Sequence, residues 1–141
     1  MRVVADTNTI ISGLFWRGAP RQVLDAAREG RVDLVTSATL LAELEDVLTR
    51  AKFTERLRDA GVTAAELVLG YAALAKVIES GALAATVSDD PDDDAVLACA
   101  AAAQADAIVS GDKHLLKLKQ FQDIPVLTAI ALLERLPADS N

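Results

Sequence analysis

The chain predicts an α/β fold, a central parallel sheet of about five strands flanked by helices. Two observations carry that expectation. Short β-branched runs alternate with stretches whose apolar residues recur at helical spacing, the pattern of a parallel sheet covered by helices. The length of 141 residues, 52% of them hydrophobic, suffices for one domain to bury a core without staples.

Arg2–Ala5 reads as the first strand. Thr9–Phe15 is a short apolar helix that breaks at Gly18-Ala19-Pro20. Pro20 suits the first turn of the next helix, in which Val23, Leu24 and Ala27 form the apolar stripe up to Gly30. Asp33–Thr36 is a second strand. Ser37 then caps a helix carrying Leu40, Leu41, Leu44, Val47 and Leu48, with Glu43, Glu45 and Asp46 off that stripe or at its edge.

A further helix runs from about Phe53 to Ala60 and stops at Gly61. Thr63-Ala64-Ala65-Glu66 is a capping box, and its helix extends through Leu67, Leu69, Tyr71, Leu74, Val77 and Ile78 to a stop at Gly81. Leu83–Val87 reads as a strand, followed by an acidic loop and an alanine-rich helix. Asp106–Ser110 and Ile124–Thr128 are the last strands, with short helices at Lys113–Leu116 and Ala129–Leu136. With no repeat, linker or composition shift, residues 1–136 read as a single domain and 137–141 as a frayed tail.

The single cysteine, Cys99, cannot form an internal disulfide and falls in an apolar helical run, where a small buried hydrophobe is the expected reading. Asp6 interrupts the opening apolar run before a signal peptide could form, and no apolar stretch reaches membrane-spanning length. A cytoplasmic protein is expected. The net charge of −7 argues against a strong non-specific nucleic-acid coat. Five Asp between positions 89 and 94 account for much of that excess, however, and Arg and Lys residues cluster elsewhere. A metal-bridged RNA site remains compatible with it.

Four acids stand where such a fold gathers side chains at one rim. Ligands of open parallel sheets bind outside the carboxyl ends of the strands. Asp6 closes the first strand, Asp112 follows Ala107–Gly111, Asp94 opens the helix after the acidic loop, and Glu43 lies a turn into the helix that Ser37 begins. Two carboxylates about 4 Å apart repel by roughly 4 kcal/mol at an effective dielectric near 20. A cluster of four without a basic partner therefore calls for a divalent cation. Hard oxygen donors favour Mg²⁺ or Mn²⁺ over zinc, and His114 and Cys99 form no spaced ligand pair.

Asp6-Thr7-Asn8, Ser12-Gly13-Leu14-Phe15-Trp16-Arg17-Gly18, Ser37 with Glu43, Asp90-Pro91-Asp92-Asp93-Asp94 and Ser110-Gly111-Asp112 together resemble PIN-domain ribonucleases. The likeness runs from Arg2 to about Leu133 and looks closest to the toxin-component branch related to VapC-type toxins. The resemblance implies a three-layer fold and Mg²⁺- or Mn²⁺-dependent hydrolysis of RNA, leaving a 5′-phosphate and a 3′-hydroxyl. It assigns metal binding and catalysis to Asp6, Glu43, Asp94 and Asp112. Thr7, Asn8 and Ser110 take supporting roles, holding carboxylates or phosphate by hydrogen bonds. It also implies an RNA substrate, a cognate antitoxin protein and a homodimer. Ser110 stands where Thr is common, keeping the hydroxyl, and His114 stands where an acid is frequent.

Each residue also has a plainer reading. Asp6 could cap the next helix, Glu43 could be a solvated helix residue, and Asp112 a turn residue. The acids Asp89, Asp90 and Asp92 suit capping or solvent, and Asp93 fits either role. Trp16 could pack rather than stack on a base, and Arg17, Arg21, Lys113 and Lys117 could grip phosphate or simply be solvated. A receiver-like module that accepts phosphoryl on an Asp is an alternative, although it needs an acidic pair where Asp6 stands alone. An inactive PIN scaffold that binds a protein partner is another, although all four matched acids are present.

Overall fold

In the computed structural model, which describes residues 1–80 and 91–137, strand β1 (Arg2–Ala5) lies at the centre of the sheet. Period-two alternation splits its side chains between two cores. Val3 and Ala5 join one buried cluster and Val4 the other. The same division holds in β4 (Ala107–Val109), where Ala107 and Val109 share the face of Val3 while Ile108 faces with Val4. Strands buried on both faces read as unbroken apolar runs, as these do.

On the first face pack α1 (Thr7–Phe15), α2 (Ala19–Arg28), α3 (Ala38–Leu48), α4 (Thr54–Ala60, through Leu57), α5 (Ala64–Leu74) and α8 (Ala129–Arg135). On the second face lie α6 (Pro91–Ala103), through Val96, Leu97, Cys99, Ala100 and Ala103, and α7 (Lys113–Lys117), through Leu115. The result is the expected three-layer arrangement. Leu97, Leu24 and Leu132 are fully buried, and each such side chain contributes about 1.5–3 kcal/mol. No helix among the described residues is long and apolar enough to cross a membrane.

The sheet has the order β3-β2-β1-β4-β6-β5, with β2 at Asp33–Ser37, β3 at Lys76–Ile78, β5 at Gln120–Phe121 and β6 at Ile124–Leu127. All neighbours pair in parallel except β5 and β6. A receiver module has the parallel order 2-1-3-4-5. Here β3 lies beyond β2 and β4 takes the place beside β1 that the third strand holds in a receiver, so the topology does not support that alternative.

Two elements differ from the sequence expectation. The helix begun by the Thr63 capping box, which is present as expected, ends at Leu74 rather than near Gly81. Ala75 turns extended (ψ 163°), and Lys76-Val77-Ile78 pairs with Val35-Thr36-Ser37 as a strand. Tertiary pairing overrides helical periodicity where two β-branched residues lie beside an open edge. The short strand β5 was not expected. It is joined to β6 by Gln122 and Asp123, both at positive φ (49° and 66°), the backbone of a two-residue type I′ hairpin. The expected strand Leu83–Val87 and the acids Asp89 and Asp90 lie outside the described residues.

Gly13 is what lets α1 and α2 approach. A Cβ at that position would lie 2.7 Å from Leu24 Cδ1 and 2.9 Å from the Pro20 carbonyl oxygen. Arg21 completes the joint, donating from Nε to the Gly13 carbonyl (2.7 Å) and from its terminal nitrogen to that of Leu14 (3.0 Å). Its guanidinium thus satisfies carbonyls at the end of α1, a structural task rather than a phosphate grip.

A candidate carboxylate metal centre at the β1–β4 edge

The strand order reverses between β1 and β4, so the crevice of the sheet opens at their carboxyl ends. Register fixes what meets there. Ala5 pairs with Val109, and the Asp6 amide continues the ladder to the Val109 carbonyl at 3.0 Å. One step further, Asp6 faces Ser110, whose amide bonds the Leu127 carbonyl at 2.9 Å. Both residues are almost fully buried, Asp6 at 7% exposed and Ser110 at 1%.

The Asp6 carboxylate has two engagements. One oxygen accepts from the Thr9 amide (2.9 Å) as the cap of α1; the other accepts a short hydrogen bond from the Ser110 hydroxyl. The Ser110 oxygen in turn accepts from the Asp112 amide (2.9 Å). Asp112 caps α7, accepting from the His114 amide at 2.7 Å. A continuous hydrogen-bonded chain therefore links the two acids across neighbouring strands. The plainer reading of Asp6 as a helix cap is correct, and Asp112, expected as a turn residue, is a cap as well; both are compatible with a site, because each carboxylate keeps lone pairs beyond those the cap uses.

A cavity of about 70 Å³ opens beside this chain, lined by Asp6, Thr7, Asn8, Glu43, Asp93, Val96 and Asp112. Four separate stretches of chain each supply one acid to its lining. Glu43 is half-buried on α3 while its neighbours Glu45 and Asp46 are exposed, which sets it apart from a solvated face. From α6 the cavity takes Asp93, 6% exposed, where the sequence reading placed Asp94. Successive helical residues point about 100° apart, so only one of two adjacent acids faces a given cavity; Asp94, half-buried, does not line it. The run of five Asp gave no means of choosing its phase.

His114 is exposed on α7, outside the cavity lining. Trp16 is 41% exposed at the far end of α1. The Arg56 guanidinium covers its ring at 4.3 Å, and Phe15 meets it edge-on. That face of the indole is engaged in packing. Arg17, Lys113 and Lys117 are exposed.

Among the described residues, no group of three or more Asp, Glu, His or Cys side chains stands close enough together to hold a metal ion. An open, all-oxygen wall suits Mg²⁺, which keeps several waters and binds proteins through one or two carboxylates. The donor set therefore fits a hard divalent ion and offers no sulfur or imidazole to a softer one.

No curated protein matches the chain. The family model for the PIN domain matches residues 2–114, a span that holds all four acids of the cavity. PIN domains are generally nucleases and generally use divalent metal ions. The chain belongs to the PIN domain family.

Proposed function

We propose that the chain is an Mg²⁺- or Mn²⁺-dependent endoribonuclease acting as the toxin of a toxin–antitoxin pair. The observation that supports this best is the 70 Å³ cavity, lined by acids from four connections and, among the described residues, by no basic one. Asp6, Glu43, Asp112 and an acid of α6 are the candidate ligands, of which a hard ion needs one or two directly. Asp93 is the better candidate because it lines the cavity, and Asp94 is the next residue along α6. When bound, a divalent ion polarises a phosphate oxygen and acidifies water at neutral pH.

The chain's own groups do the positioning. Ser110 and the Thr9 amide lock the Asp6 carboxylate in one orientation, which orients a ligand as supporting hydrogen bonds commonly do. Thr7 and Asn8, in the cavity wall, hold substrate phosphate oxygen. Glu43 ligates or orients the attacking water. Hydrolysis then leaves a 5′-phosphate and a 3′-hydroxyl. A cognate antitoxin, a homodimeric state and a cytoplasmic location follow from the same family reading.

The test is cleavage of single-stranded RNA by the purified protein. Activity with Mg²⁺ or Mn²⁺, its loss with EDTA and its loss in Asp6→Asn support the proposal. A protein inert toward a broad RNA panel with either metal instead supports a scaffold that only binds partners.

A further inference from the structure

Beside the carboxylate cavity lies a larger one of about 370 Å³, within the range of about 300–1,000 Å³ seen for small-molecule sites. The two share Asn8 and Asp112 in their walls, so a molecule in one abuts a molecule in the other. The larger cavity is lined by Ser12 of α1, Pro20 of α2, Ile130 of α8, Thr128 before α8, and Ser110 and Gly111 after β4.

The chemistry of this lining selects an occupant. Among the described residues that line it there is no Lys, Arg or His, and the only charge is Asp112. A phosphate would find no countercharge and one repelling carboxylate. A flat neutral group with hydrogen-bonding edges is better matched. Pro20, Ala19 and Ile130 offer apolar faces, while Ser12, Asn8 and Thr128 offer hydroxyl and amide groups. Thr128 Oγ1 accepts from the Ala131 amide at 3.1 Å, and its own proton is left to donate. Ile130 is 62% exposed, so the mouth is open.

Building on the nuclease reading, we infer that this cavity is a nucleoside subsite. It takes the base and ribose next to the scissile phosphate, while the phosphate itself stays over the carboxylates. Base preference at the cut then comes from Ser12 and Thr128, because recognition of single-stranded RNA works through base edges and the 2′-hydroxyl.

The test is amide-resolved NMR titration of the metal-free protein with adenosine, guanosine, cytidine and uridine, and separately with inorganic phosphate. The expected result is saturable shifts at Ser12, Gly111 and Ile130 with at least one nucleoside and none there with phosphate. Ile130→Trp, which fills an exposed mouth without touching the core, should weaken that nucleoside at least 10-fold. Ser12→Ala should weaken it about 3-fold. In cleavage assays Ile130→Trp should raise KM and flatten base preference while leaving the Mn²⁺ effect on thermal stability unchanged. Shifts by phosphate alone, or by no nucleoside at millimolar concentration, would overturn the inference. RNA cleavage without nucleoside shifts sinks the subsite and spares the nuclease; nucleoside shifts without any cleavage do the reverse.

Discussion

Replacing Asp6 by Asn and by Ala separates two jobs that one carboxylate performs. The Asn oxygen can still accept from the Thr9 amide, now at 2.9 Å, so the cap of α1 survives. Its amide can face Ser110, whose own proton then loses an acceptor at a cost of about 1 kcal/mol. Against that stands relief of repulsion with Glu43 and Asp112 in the shared cavity. At an effective dielectric near 20 this reaches roughly 4 kcal/mol for charges about 4 Å apart and falls with distance. Without metal, Asp6→Asn should therefore be at least as stable as the parent. Asp6→Ala loses the cap as well, about 1 kcal/mol, or about 4 °C in Tm for a domain of this size.

Divalent metal reverses that ranking. At 100 times Kd, Mn²⁺ should stabilise the parent by about 2.7 kcal/mol, on the order of 10 °C, and either variant far less. The assay is thermal unfolding with EDTA and with Mn²⁺. Equal Tm for the two variants would refute the capping argument. A full Mn²⁺ effect in either variant would refute Asp6 as a ligand.

The two α6 acids give a second contrast. Asp93→Asn should lower the cleavage rate at least 100-fold and Asp94→Asn by less, measured at saturating Mg²⁺; the opposite order would move the ligand one residue along the helix. Gly13→Ala drives a methyl against Leu24 and the Pro20 carbonyl, so denaturant unfolding should show a loss of about 1–3 kcal/mol. Burial pushes the Cys99 thiol up to about 11, although its hydrogen bond with Ser37 offsets part of this. The unfolded thiol ionises from about pH 8.5 while the folded one stays protonated, so stability should fall as pH rises between those values. Cys99→Ala should flatten the early part of that fall in a Tm-against-pH series. Tyr71, pushed up by burial and then by Cys99, should keep the later part.

The strands β1, β2, β4 and β6 were legible because apolar runs buried on two faces have no competing reading. Caps were legible too. Asp6, Ser37 and Thr63 each precede a helix and each accepts from its first turn, whereas Asp112, read as a turn residue, proves to be a cap too. Lys76–Ile78 was hidden because an apolar triplet after a helix continues the helical stripe, and only the open edge of β2 makes it a strand. The β5–β6 hairpin was hidden because Gln122-Asp123 lacks the glycine that usually marks positive φ. At the site, the sequence located the connections but not the phase of α6, and the choice of Asp93 over its neighbour depends on a rotation of about 100°. Arg21 was open to reading as a phosphate grip or a solvated charge, because nothing in its spacing reveals the carbonyls of Gly13 and Leu14 that it binds.

Substoichiometric Mn²⁺ added to isotope-labelled protein tests the shared ion site most directly, because the metal's paramagnetism broadens nearby amides first. Thr7, Asn8, Glu43, Val96 and Asp112, which come from four separate stretches of chain, should fade together at the lowest additions. Broadening that begins on a single segment and leaves Asp6 and Asp112 sharp would contradict a common ion.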